Sequence, residues 1–132
     1  MSEDDLNFAF PAGDPGVTPL GSRVLVQVRT PESKTRGGII LTDSDKDTQL
    51  WNTTVARVLS VGVLAFHNRN TAEPWPEGAW CVAGDYVRVP KYGGDRWVSD
   101  CENGQKAYYG LVNDLDILGK VTGDPLQLRS FL

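Results

Sequence analysis

Turn signals recur along the second half of this chain at intervals too short for helices to form between them. Gly84-Asp85, Gly93-Gly94, Asn103-Gly104 and Asn113-Asp114 follow one another about ten residues apart. The runs they bound, Tyr86–Pro90, Arg96–Glu102 and Gln105–Val112, have strand length and carry Tyr, Val and Trp. Asn103-Gly104 is the strongest hairpin signal, because both residues tolerate the positive φ that a tight hairpin turn requires. Asp116–Val121 (DILGKV) is expected to form a last short strand. No stretch sustains helical spacing and there is no internal repeat. The fold class this implies is all-β, a small barrel or sandwich of short strands.

The first half supplies two longer strands and two irregular stretches. In Ser22–Arg29, Val24, Val26 and Val28 alternate with Arg23, Gln27 and Arg29, the period of a strand with one apolar face. Pro19 stops a helix from entering it. Trp51–Val61 is rich in β-branched residues and reads as the second strand, ended by Gly62. Residues 63–83 contain Pro74, Pro76 and Gly78 with Phe66, Trp75 and Trp80, and are expected to leave the body as an excursion whose aromatics pack together. Residues 1–17 carry Glu3-Asp4-Asp5 and several Pro and Gly, which predicts a loosely held extension on which Phe8 or Phe10 could dock. Residues 122–132 read as a tail.

Residues 30–50 are the unusual part. They have no credible element, and a loop of that length in a compact domain points to function or disorder. Ile39, Ile40 and Leu41 stand between the Gly37-Gly38 pair and a polar run with Asp43, Asp45, Lys46 and Asp47. Half-buried strands alternate, and this run does not. The residues alone leave two readings: an ordinary core strand, which run length favours, and an apolar hook on a mobile loop, shaped for a groove on another protein.

Composition excludes several classes. The 132 residues suffice for one domain; 40% are hydrophobic and 23% charged. A net charge of −4 argues against a nucleic-acid binder, so the four tryptophans read as core or interface residues. No run approaches the ~18 apolar residues of a membrane helix, and the acidic N-terminus lacks the features of a secretory signal. Cys81 and Cys101 read as buried thiols in a reduced, cytoplasmic protein, although a disulfide is geometrically open. Gly37-Gly38 is no phosphate cradle, because no Gly-Lys-Ser/Thr follows. Asp43, Asp45 and Asp47 open like a calcium loop, but Thr48 and Thr54 stand where Gly and the bidentate Glu belong. His67 is the only histidine and has no evident nucleophile or orienting partner. No catalytic residue, metal site or cofactor is expected, and the chain does not read as an enzyme.

The order of these pieces resembles the GroES-type co-chaperonins, the lid proteins of the chaperonin folding chamber. The resemblance runs from Thr18 to Val121. Pro19-Leu20 with Arg23-Val24 is similar to the family's opening strand, Lys34-Thr35 and Gly37–Leu41 to its mobile loop, and Val58–Gly62 to the strand before its roof hairpin. Gly84–Val87 is similar to its "GD-x-V" element and Asp116-Ile117-Leu118 to its closing "DIL". Each motif is weak alone; five in order are specific.

The resemblance implies a small GroES-like β-barrel over 18–121, with a mobile loop at 30–50 and a roof-like excursion at 63–83. It implies a co-chaperonin that docks Ile39, Ile40 and Leu41 into the apical domains of a GroEL-type chaperonin, hinged at Gly37 and Gly38, and so assists ATP-dependent folding. ATP would be bound by the partner, and the folding substrate would be enclosed without direct contact. It further implies a homo-oligomeric ring, a heptamer, in which Arg23, Val24, Val26 and Val28 of one subunit meet Ile117, Leu118 and Val121 of the next. Ser22 replaces the family's usual acidic residue, the segment 63–83 is rich in tryptophan, and both termini extend beyond a minimal member. Those departures would suit a divergent or virus-encoded member acting in a host cytoplasm. The other reading is a repurposed structural or virion-associated oligomer, which would have no reason to keep an exposed Ile-Ile-Leu hook.

Overall fold

In a computed structural model of the chain, the described residues are 9–30, 54–68, 70–90, 94–101 and 106–125. Among them are six strands: β1 (Arg23–Val28), β2 (Val55–Val61), β3 (Tyr86–Arg88), β4 (Asp95–Asp100), β5 (Lys106–Asn113) and β6 (Gly119–Lys120). All pairings are antiparallel, in the order β4-β5-β1-β2-β3-β6. The strands lie where turn chemistry and β-branched content put them, with two differences. Residues 51–53 of the expected second strand lie outside the described residues. The expected strand Asp116–Val121 shrinks to Gly119–Lys120, because Asp114–Asp116 forms a 3₁₀ turn first. Asp116 favours that turn by accepting a hydrogen bond from the Asn113 N–H (3.1 Å).

The expected barrel is not formed. The six strands make one sheet that does not close, with β4 and β6 at its two ends and no ladder joining them among the described residues. The physical reason lies in β6. Two residues pair it to β3, through Val87↔Lys120 and Arg88↔Gly119, and so short a strand has little ladder to offer a second neighbour. A sheet that does not close must cover its apolar faces by other means.

Two irregular segments are the covers. On one face Val24, Val26, Ala56, Val58, Val87, Val89 and Val112 form the main core. Ala65, Phe66 and Cys81 from the excursion complete it, with Trp75 and Trp80 packed alongside. The three rings touch: Phe66–Trp75 at 5.6 Å, Phe66–Trp80 at 6.0 Å and Trp75–Trp80 at 4.9 Å between centroids. Phe66 takes φ 62°, a left-handed conformation unusual for an aromatic residue. It is held there by burial and by its N–H donating to Asp114 Oδ2 at 3.0 Å. Asp114, itself buried, also accepts from Leu115 N–H, and its own N–H donates to the Ser22 carbonyl. One carboxylate thus ties the excursion, the 3₁₀ turn and the start of β1.

The opposite face carries a row that crosses five strands. Register places Tyr86 beside Arg57, Arg57 beside Gln27, Gln27 beside Tyr109, and Tyr109 beside Trp97. Residues directly opposed in a ladder share a face. Residues 9–15 lie across this row, so the extension expected to be loose is packed in its described part. Phe10 is 1% exposed, against Val55 and edge-on to Tyr86 at 5.2 Å, with the Arg57 guanidinium 5.5 Å above its ring. Gln27 donates to the Pro11 carbonyl (2.6 Å), Trp97 Nε1 to that of Pro15 (3.1 Å) and Ser99 Oγ to that of Asp14 (3.3 Å). Gln27 Oε1 in turn accepts from Arg57 Nη2 at 2.9 Å, so this buried amide is paired at both ends.

The tie at Asp114 makes a test. Asp114→Ala leaves the buried Phe66 N–H without an acceptor, which should destabilise the fold by about 1–3 kcal/mol. Urea unfolding measures it; a loss under about 0.5 kcal/mol would mean that the carboxylate does not hold the excursion.

Candidate functional site

Two features of the sheet mark the candidate site. The first is the base of the segment 31–53. Arg29 N–H donates to the Val55 carbonyl at 3.1 Å, so the chain leaves β1 and returns to β2 on neighbouring rungs of one ladder. Thr54 is fixed on the return side: its carbonyl accepts from Val89 N–H (2.9 Å) and its Oγ1 from Arg88 Nη2 (3.0 Å). The expected hook Ile39, Ile40 and Leu41 and the expected hinge Gly37 and Gly38 lie outside the described residues.

The second is the end of the sheet at β6. Leu118 N–H donates to Arg88 O (2.9 Å) and Val121 N–H to Tyr86 O (2.7 Å), which fixes this segment on β3. β6 is the last strand of the sheet, so its outer edge has no strand partner among the described residues. Leu118 is 68% exposed while Ile117 beside it is buried. Trp80, Ile117, Leu118, Gly119 and Lys120 line an open cleft of about 300 Å³. Lys120 Nζ stands 3.5 Å from Asp85 at its rim. Exposed Leu115, and Val17 and Leu20 ahead of β1, are further apolar side chains left in solvent.

The expected interface residues separate on this evidence of placement. Ile117, Leu118 and Val121 come together at β6. Val24, Val26 and Val28 are buried inside the subunit, and β1 is paired along both edges, to β2 and to β5. Only Arg23 of that group is exposed. A strand with both edges occupied offers a neighbour side chains rather than backbone. Sequence reasoning named Leu20 only within the opening motif and Trp80 only among the excursion's aromatics, and placed neither at a candidate contact surface. Leu20 carried a weak signal, an aliphatic standing outside the alternation that begins at Arg23.

The described residues include no group of three or more His, Cys, Asp or Glu placed to hold a metal. His67 Nδ1 is 2.7 Å from the Ala65 carbonyl, a local contact in the excursion. Cys81 and Cys101 are both free and buried, in separate clusters, Cys81 in the main core and Cys101 beside Ala107 and Tyr109. Burial, with Asp85 nearby, pushes the Cys81 thiol up to about 11. Burial draws Arg96 down to about 10, still charged at neutral pH; its Nη2 donates to the Pro90 carbonyl.

A model of the family described as chaperonin 10 kDa subunit matches residues 16–121. The chain belongs to this family. The mitochondrial 10 kDa heat shock protein of Mus musculus is 36% identical over 102 residues, covering 77% of this chain and 87% of that protein. That of Oryzias latipes is 33% identical over 102 residues, 77% of this chain and 90% of its own. The co-chaperonin GroES of Fervidobacterium nodosum is 32% identical over 105 residues, 80% of this chain and 96% of that one. The chain is therefore a GroES-type co-chaperonin, a chaperone component and not an enzyme. The match begins at residue 16 and ends at 121, so the packed segment 9–15 and residues 122–125 stand outside it.

The Cys81 shift carries a signed prediction. Its folded pKa lies above the unfolded value of 9.0, so its stabilising contribution is complete below pH 9 and is lost as pH rises through about 11. The urea midpoint of the natural chain should fall towards that of Cys81→Ala between pH 9 and 11. A gap that stays constant over that range would contradict the shift.

Proposed function

We propose that this co-chaperonin caps a GroEL-type chaperonin by docking Ile39, Ile40 and Leu41 of each subunit into apolar grooves of the apical domains. Gly37 and Gly38 act as the hinge. The observation that supports the reading best is the base of the segment: Arg29 and Val55 share a hydrogen bond at its two ends, on a ladder central in the sheet. A binding segment anchored this way can search for a groove while its ends stay in place.

The energetics favour many weak contacts. Fully burying an aliphatic side chain contributes roughly 1.5–3 kcal/mol, while ordering each backbone residue costs about 1–2 kcal/mol. One loop therefore binds weakly. A homo-oligomeric ring, a heptamer, presents several loops at once and raises the effective concentration of each after the first has bound. Weak single contacts also let the lid leave, as an ATP-driven folding cycle demands. The ring seam in this reading runs along the outer edge of β6, with Leu118 and Val121, supported by Ile117 beneath. The free edge and the exposed leucines at 20, 115 and 118 favour it, since such a surface is otherwise an aggregation hazard.

Light scattering on a sizing column, with and without a GroEL-type chaperonin and ATP, tests both parts. The chain should run as a ring and co-elute with the chaperonin only when nucleotide is present. Ile40→Ser should keep the ring and lose about 2 kcal/mol per loop, about thirtyfold each. Unchanged co-elution of Ile40→Ser would dismiss the hook; a ring indifferent to chaperonin would favour a structural oligomer instead.

A further inference from the structure

The first and last described residues meet at one place, the base of the segment 31–53. Ala9 accepts a hydrogen bond from the Thr30 N–H at 2.8 Å, one residue before that segment begins. Phe10 is buried on Val55, one residue after Thr54 ends it. From the other terminus, the buried Pro125 accepts from Arg29 Nη1 at 2.9 Å. Residues 9–10 and 125 lie outside the family match, so these contacts are additions to the shared domain.

The contacts are built with more than chance apposition. Phe10 sits between the Tyr86 ring edge and the Arg57 guanidinium. Arg57 donates to Gln27, and Gln27 donates to Pro11, the residue after Phe10. Arg57 therefore grips the strap twice, through the Phe10 ring and through Gln27. A buried amide and a partly buried guanidinium are expensive to place in a core, and here both are spent on one short segment of backbone.

We propose that residues 9–11 and 125 form a clasp that holds the loop base in its binding-competent geometry and thereby sets chaperonin affinity. The inference rests on the docking reading above. A base that is already ordered removes part of the ordering that docking would otherwise require, and the apparent affinity of a site scales with the fraction of molecules in the competent state. The clasp works without touching the chaperonin. Phe10, Gln27, Arg29 and Arg57 are positioning residues.

The test uses the full chain as natural sequence, Phe10→Ala, Arg29→Gln and Ile40→Ser. Amide hydrogen exchange reads the base at Thr30, with Tyr109 in the middle of β5 as the reference for global stability. Titration against a GroEL-type chaperonin with nucleotide reads docking. Each clasp variant should speed exchange at Thr30 about tenfold relative to Tyr109 and weaken chaperonin association about tenfold, with the oligomeric mass unchanged. Where Phe10→Ala speeds Tyr109 as well, the fold as a whole has loosened and Arg29→Gln, which removes a contact outside the core, decides alone. Unchanged exchange at Thr30 would show that the clasp does not hold the base. Faster exchange with unchanged association, while Ile40→Ser abolishes binding, would overturn the link to docking and leave the hook standing. Association that survives Ile40→Ser would instead remove the docking reading and the clasp's role with it.

Discussion

β1 is the strand on which the rest of the structure depends. It is paired on both edges, and every residue from Val24 to Val28 is buried, so neither of its faces meets water. A strand in that position imposes two requirements: cover for the valine face and a partner for each polar atom on the other. The excursion with Phe66, Trp75 and Trp80 meets the first, and the strap 9–15 meets the second. Because the sheet does not close, these two covers stand where a barrel would use its own opposite wall. The position of Asp114 follows from the same requirement, since the excursion must be tied to the sheet it covers.

Much of this was legible. Turn dipeptides and β-branched runs located β1 to β5, because strand ends are set by local backbone chemistry that sequence records directly. What escaped notice was whatever depended on the backbone of a distant segment. Gln27 looked like a solvent-facing residue of an alternating strand, yet it is 1% exposed, because its amide meets the Pro11 carbonyl and the Arg57 guanidinium. Carbonyl acceptors belong to every residue alike, so the strap's anchoring on Ala9, Pro11, Asp14 and Pro15 leaves almost no compositional mark. Phe10 was the one visible sign. Closure failed for a related reason: "DIL" reads as strand, but Asp116 finds a hydrogen bond three residues back at Asn113 and closes a 3₁₀ turn, so strand pairing is delayed to Gly119–Lys120.

The candidate site was legible in a different sense. The Gly-Gly–Ile-Ile-Leu pattern suggests a docking segment, and its residues lie outside those described. The ladder at Arg29 and Val55 and the exposed side chain of Leu118 were open only to geometry. The family resemblance implied that β1 meets a neighbouring subunit; pairing puts β1 in the interior of the sheet and leaves β6 at one end of it among the described residues. A short strand beside an exposed leucine, with a lysine and an open cleft, stands at that end.

These constraints bear on how a lid of weak contacts could be tuned. Strengthening each hook would raise affinity and also slow release, because buried apolar area acts on the bound state and hence on the rate of leaving. Ordering the base of the loop acts instead on the free state, by changing the fraction of molecules ready to dock. In the proposed ring, a modest change in that fraction would be multiplied across the assembly. Residues 9–11 and 125 lie where such a change is made most directly, beside the rungs at Arg29 and Val55. They also lie outside residues 16–121, the stretch that the family model matches, so the proposed clasp would act on the shared sheet from beyond it.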